Sequence, residues 1–134
     1  MTFLIFIYRA LAIIYPIFGL AFYFGEATLG SFLGFDHSNH AFWKSLTVSM
    51  MFMLGYTAWR TARTVEKGVR DKSWFIIHLI SKATSVFFFA VSFVRSPHVF
   101  YLVGAGVDSL VFVFVLFSLG YYLKVRSRLD MRQN

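Results

Sequence analysis

Residues 74–94, WFIIHLISKATSVFFFAVSFV, and 99–123, VFYLVGAGVDSLVFVFVLFSLGYYL, are two apolar stretches joined by the short segment RSPH. At about 1.5 Å of rise per residue, each stretch can cross the roughly 30 Å hydrocarbon core of a bilayer as a helix. Lys82 interrupts the first stretch and Asp108 the second, both far from the ends. Because a charge at such depth costs about 3 kcal/mol or more, we expect both side chains to face the interior of a bundle and to form an ion pair.

Two further apolar stretches precede this pair, at residues 3–24 and 42–62. Hydrophobic residues make up 58% of the 134 residues, charged residues only 14%, and phenylalanine occurs 18 times. That is more apolar side chain than a soluble domain of this size buries. The sequence therefore predicts an all-α membrane protein with a single domain, residues 1–134, built as an antiparallel bundle of four transmembrane helices.

The basic residues are distributed unequally between the two predicted sides of the membrane. Ten of them lie on the side that holds both termini and the second connection, and two lie on the other side. The ten are Arg9, Arg60, Arg63, Lys67, Arg70, Lys72, Lys124, Arg126, Arg128 and Arg132, and the two are Lys44 and Arg95. By the positive-inside rule, we expect both termini in the cytoplasm, with a bacterial inner membrane as the location. The net charge of +7 then reflects topology and attraction to anionic lipid, and a nucleic-acid partner is not expected.

The third stretch carries polar residues on one helical stripe. His78, Lys82 and Ser85 follow one another at spacings of four and three, which places them on the same face. Lys82 lies about 12 Å from the cytoplasmic end of its helix and Asp108 about 13 Å from the outer end of the next, so their depths differ by about one turn. Gly104, one turn before Asp108, is expected to let the two backbones approach closely.

Residues of the first two stretches are expected to contribute at the cytoplasmic side. The depth of Tyr56 predicts its hydroxyl near His78 and Lys82. Arg9 is expected to extend to the cytoplasmic interface, with a link to Asp108 or to the second connection as the alternative. One stripe of the second stretch, expected to pack within the bundle, consists of Ser45, Ser49, Phe52 and Tyr56.

The Lys82–Asp108 pair admits three roles. A structural pair would fix the register of two helices, because burying two charges seldom adds net stability but specifies one arrangement. A proton- or ion-linked site would use His78 as a relay, although a histidine on a polar stripe is also a common hydrogen-bonding packing residue. A ligand site is the third role. Haem is not expected, since no other helix supplies a second histidine at the depth of His78, and no cofactor is predicted.

The longest connection suggests a second possible site on the outer face. Three imidazoles and two carboxylates could converge there and bind Zn²⁺ or Cu²⁺. These residues are Glu26, Asp36, His37, His40 and His98. Their spacing matches no defined motif, and a solvated loop that caps the second helix explains the same residues. A metal is therefore the weaker interpretation.

No catalytic motif accompanies these features, and many phenylalanines must face lipid, a lipid-like ligand or another protein. We expect a non-catalytic accessory subunit or partner in a larger membrane assembly, through other membrane subunits or self-association. A small transporter or channel that uses Asp108, Lys82 and His78 is the first alternative. The second is an enzyme acting on lipid-like substrates, which would need these residues and Tyr56 to line one cavity. A small pore-forming protein is the third.

Overall fold

The structure is a computed structural model that describes residues 1–33, 41–69 and 71–130. These residues form four α-helices, which confirms the predicted all-α class. The helices are α1 (Thr2–Leu33), α2 (Ala41–Lys67), α3 (Ser73–Arg95) and α4 (Val99–Asp130). Among the described residues, three segments are long and apolar enough to cross a membrane: Thr2–Gly25 of α1, Ser73–Arg95 and Val99–Arg128. The chain is therefore an integral membrane protein. Helix α2 is long enough to span but is not among these three apolar segments.

Two helices run well beyond their predicted ends. Helix α1 continues to Leu33 instead of ending near residue 24, so the predicted first loop begins later. Its extra turns contain Gly25 and Gly30, each of which costs only about 1 kcal/mol in a helix, too little to end it there. Helix α4 continues past residue 123 to Asp130, because its polar end is rich in good helix formers.

The connection between α2 and α3 is fixed by backbone hydrogen bonds. Gly68 follows the last residue of α2 with a positive φ of 60°, which a glycine adopts without strain. The Val69 N–H donates to the Thr64 carbonyl at 3.2 Å, and the Gly68 N–H donates to the Val65 carbonyl at 3.3 Å. This is the Schellman arrangement that satisfies the last carbonyls of a helix. The Tyr122 hydroxyl of α4 donates to the carbonyl of Val69 and so ties this connection to the bundle.

The connection between α3 and α4 is a tight turn, as predicted. Ser96 is extended, with φ −149° and ψ 97°, because the following Pro97 disfavours helical backbone there. The Ser96 N–H donates to the Ser92 carbonyl and the His98 N–H to the Ser96 carbonyl, both at 2.8 Å.

Helices α1 and α2 approach through glycines and run in opposite directions. A Cβ added at Gly19 would lie 2.8 Å from the Met51 Cβ, and one added at Gly55 would lie 2.8 Å from the Pro16 Cδ. It would also lie 2.9 Å from the Ala12 carbonyl oxygen, which Pro16, lacking an N–H, leaves without its helical partner. These contacts place α2 against the middle of α1.

The buried face of α2 differs from the predicted one. The stripe with Ser45, Ser49, Phe52 and Tyr56 is exposed, and Phe52 and Tyr56 are 48% and 51% exposed. The inward side consists instead of Leu54, Gly55, Thr57, Ala58, Thr61, Ala62, Thr64 and Val65. Both sides of this helix carry small and hydroxyl residues, so composition does not distinguish them. The predicted packing of the Ser45–Tyr56 stripe within this chain is therefore wrong.

Candidate functional site

The predicted ion pair between α3 and α4 is present. The Lys82 Nζ lies 2.6 Å from the Asp108 Oδ1, and the two side chains are only 3% and 12% exposed. The second carboxylate oxygen of Asp108 accepts a hydrogen bond from the Ser85 hydroxyl. Both oxygens of the buried carboxylate thus have donors from α3, which is what a charge in a low-dielectric interior requires.

Helix α1 contributes Tyr15 to the same place. The Lys82 Nζ lies 4.8 Å from the centroid of the Tyr15 ring, within the range of a cation–π interaction. The Tyr15 hydroxyl lies 3.1 Å from the His78 Nε2 and hydrogen-bonds to it. We call these five residues the buried polar cluster: Tyr15, His78, Lys82, Ser85 and Asp108. Three helices therefore meet at one group of polar side chains.

His78 has one unused ring nitrogen. Its side chain is fully buried, and its Nδ1 has no hydrogen-bond partner. The ring of Tyr8 meets the imidazole edge-on at a centroid distance of 6.2 Å. The side chains of Tyr8 and Ser118, which both carry a hydroxyl, are also buried. The imidazole therefore keeps one ring nitrogen to which no described residue of the chain bonds.

Tyr56 does not belong to this site. It is 51% exposed on the outer surface of α2, where its hydroxyl accepts a hydrogen bond from Arg60 and its ring contacts Trp59 and Trp74. The prediction that it lies near His78 is wrong, because α2 is rotated so that this stripe points outward.

Tyr15 takes the place predicted for Tyr56. A tyrosine in the middle of a membrane helix needs a polar partner for its hydroxyl, and that was the available signal in the sequence.

Arg9 follows the alternative that linked it to the second connection. Its Nη2 donates to the Glu66 Oε1 at 2.8 Å, and the two side chains are 55% and 39% exposed. The pair joins the start of α1 to the end of α2 and does not reach Asp108.

The surroundings of Gly104 differ from the predicted close approach of the α3 and α4 backbones. A Cβ added at Gly104 would lie 2.9 Å from the Phe89 ring. The space that Gly104 leaves is filled by a side chain of α3.

The possible metal site falls mostly outside the described residues, which exclude Asp36, His37, His40 and the side chain of Glu26. His98 is described and lies against Tyr101, with the ring centroids 6.1 Å apart. Within residues whose placement is described, no group of three histidine, aspartate or glutamate side chains is arranged to hold a metal ion. The metal interpretation stays a prediction.

Chemically, the buried polar cluster combines a neutral ion pair with a hydrogen-bonded tyrosine and histidine. Its charged atoms are occupied by partners within the chain, while the imidazole keeps one free position. No protein-family model, curated protein or solved structure matches the chain. The functional conclusion therefore rests on this geometry and on the sequence.

Proposed function

We propose that the chain is a non-catalytic subunit or partner within a larger membrane assembly, held as an antiparallel four-helix transmembrane bundle with both termini in the cytoplasm of a bacterium. One observation carries this proposal: every charged atom of the Lys82–Asp108 pair is used inside the chain. The carboxylate is occupied by Lys82 and Ser85, and the ammonium lies against the Tyr15 ring. Such a pair specifies how helices fit together and leaves no charge directed at a substrate.

The proposed topology is supported by contacts at the basic end of the bundle and by contacts along α1 and α2. Arg9 and Glu66 meet at the basic end of the chain, and Tyr122 of α4 bonds to Val69 at the same end. Helix α2, although less apolar than the others, lies along α1 through Gly19 and Gly55. With α2 at membrane depth, four crossings bring both termini to the basic side, in agreement with the positive-inside rule.

A partner is supported by the outward face of the outer half of α2. Ser45, Leu46, Ser49 and Met50 are exposed there, with Met50 51% exposed. Serine hydroxyls are enriched where membrane helices pack closely, and methionine adapts to irregular surfaces. We propose that another membrane helix covers this face.

Photo-crosslinking combined with mild extraction tests the proposal. A photoreactive residue is introduced at Met50, and a matched control at Val107 of α4, which is 54% exposed. After irradiation in membranes, the full chain is extracted in mild detergent, and its mass and composition are determined. We expect a defined complex with a second membrane protein, crosslinked at position 50 and not at 107. Extraction solely as a monomer, or equal crosslinking at both positions, contradicts the proposal.

Proton-linked transport is the second candidate, favoured by the unpartnered Nδ1 of buried His78 beside Tyr15 and Lys82. An imidazole with one free position can pass a proton between neighbours. The purified chain in proteoliposomes containing a pH-sensitive dye should then conduct protons under an imposed gradient, and His78→Gln should abolish this flux. Absence of flux in the wild-type chain rejects this candidate. The alternative of an enzyme acting on lipid-like substrates requires Tyr56 to share a cavity with His78, and Tyr56 lies on the exposed side of α2.

A further inference from the structure

A cavity of about 280 Å³ opens where α2 ends and α3 begins, away from the buried polar cluster. Its lining includes two tryptophans, three cations and one carboxylate: Trp59, Trp74, Arg60, Arg63, Lys67 and Asp71. A water molecule occupies about 30 Å³ in the liquid, so the cavity has room for a phosphate group with a small polar substituent. We call it the α2–α3 pocket.

The arginines of the α2–α3 pocket are held by aromatic rings. The Arg60 guanidinium carbon lies 4.7 Å from the centroid of the Trp74 ring, and its Nη1 donates to the Tyr56 hydroxyl at 3.2 Å. The Arg63 guanidinium carbon lies 5.7 Å from the Trp59 ring. Stacking on a ring orients the guanidinium and leaves most of its N–H groups available. The pocket thus presents pre-oriented donors of the type that bind phosphate in pairs.

The one carboxylate in the pocket is already engaged. The Asp71 Oδ1 accepts the N–H of Ser73, the first residue of α3, at 2.8 Å. Hydrogen bonds from the side chain and backbone of Ser73, together with the nearby Arg60 charge, lower the pKa of Asp71 from its ordinary value. Asp71 is therefore charged at neutral pH, and the charged residues of the lining carry three positive charges against one negative.

The surface below the pocket is apolar. Trp59, Tyr56 and Met53 follow one another along α2 toward the membrane centre, and they are 44%, 51% and 71% exposed. Spacings of three place them on one face, in continuity with the pocket. A soluble anion would use only the cations. A lipid would use both the cations and this apolar strip.

The geometry points to an anionic glycerophospholipid as the ligand of the α2–α3 pocket, with its phosphate at Arg60 and Arg63 and an acyl chain along Trp59, Tyr56 and Met53. This inference deepens the proposed function and rests on its placement of this end of the bundle at the cytoplasmic membrane surface, where anionic lipid is concentrated. The lipid then binds at one defined site, and not through a diffuse attraction between the basic ends and the membrane.

Fluorescence quenching in detergent micelles tests the site without a charged bilayer surface. The full chain contains three tryptophans, so Trp43→Phe leaves only the two in the pocket to fluoresce. The chain in a non-ionic detergent is titrated with phosphatidylglycerol carrying brominated acyl chains and, in parallel, with the phosphatidylcholine analogue. We expect saturable quenching, with half-maximal phosphatidylglycerol at a concentration at least tenfold below that of phosphatidylcholine.

Charge removal locates the binding. Arg63→Gln should raise the half-maximal phosphatidylglycerol concentration about fivefold, and Arg60→Gln with Arg63→Gln about 30-fold, from the usual strength of each lipid–cation contact. The control variant Lys124→Gln with Arg128→Gln removes the same charge from exposed positions of α4 and should change it less than twofold. Because Arg63 is exposed, we expect Arg63→Gln to fold as the wild-type chain does, and circular dichroism of the variants checks this.

Three results would overturn the inference. Equal quenching by both lipids denies headgroup selection, and equal weakening in the pocket and control variants indicates diffuse attraction. Loss of quenching on adding millimolar glycerol phosphate assigns the pocket to a soluble anion. Because the measurement uses the isolated chain, failure here leaves the proposed assembly intact, and absence of a protein partner leaves the lipid site intact.

Discussion

The two helix hairpins of this protein are joined in physically different ways. Helices α1 and α2 meet through small residues, with Gly19 against Met51 and Gly55 against Pro16. Helices α3 and α4 meet through a buried ion pair, with the Phe89 ring placed over Gly104. In lipid, where hydrophobic burial does not drive helices together, close van der Waals contact and polar bonds are the two available sources of association.

The difference concerns what each contact specifies. A glycine contact cannot accept a larger side chain, but its loss leaves no polar group without a partner. An ion pair tolerates changes in nearby volume, but the loss of one partner leaves a charge in a region that cannot solvate it. We therefore expect the α3–α4 contact to show strong dependence between its two residues, and the α1–α2 contact to show steric sensitivity at single positions.

The largest effect is expected at the ion pair. Lys82→Met or Asp108→Asn alone should lower the free energy of unfolding by about 3 to 5 kcal/mol, since each leaves its partner orphaned. The double variant should lose clearly less. Unfolding by denaturing detergent, followed by circular dichroism, measures all three. A double variant no more stable than the worse single one removes the pairing argument. If the double variant folds but does not assemble, the pair also has a functional role.

A smaller effect is expected at the glycine contact. Gly55→Ala places a methyl group 2.8 Å from the Pro16 ring and 2.9 Å from a backbone carbonyl, neither of which can rotate away. We expect a loss of about 1 to 3 kcal/mol, the usual cost of overpacking. Gly106→Ala is the control, because nothing lies within 4 Å of its added Cβ. The same unfolding measurement applies. Equal stability of the two variants would show that α1 and α2 do not approach as closely as described.

The smallest effect is expected at the exposed pair that joins the two ends of the first hairpin. Arg9→Gln or Glu66→Gln should change the free energy of unfolding by less than about 1 kcal/mol, and less still at high salt, because both side chains are well exposed. Unfolding at low and high ionic strength provides the comparison. A salt-independent loss above about 2 kcal/mol would mean that this pair is shielded from water, and would make the two hairpins more alike than we infer.

Several features of the fold and of the site were predictable because their causes are local. Apolar length alone predicts membrane helices, and Pro97 disfavours helical backbone at Ser96 whatever surrounds it. Lys82 and Asp108 were predictable as a pair because an isolated charge in hydrocarbon is so costly that only a partner at similar depth accounts for it. No knowledge of helix rotation was needed for that inference.

The membership of the site beyond that pair was decided by tertiary structure. Tyr56 faces outward because the contacts at Gly19 and Gly55 determine which side of α2 lies against α1. Tyr15 joins His78 because α1 and α3 meet at that depth. Helix α2 carries small and hydroxyl residues on both sides, so its periodicity does not determine which side is buried. The α2–α3 pocket has the same origin, since its residues converge only once two helices and their connection are fixed. The sequence by itself determined the number and approximate positions of the helices and the charges that must be neutralised within them. The packing of one helix against another, which depends on shape along the whole contact, determined which side chains meet.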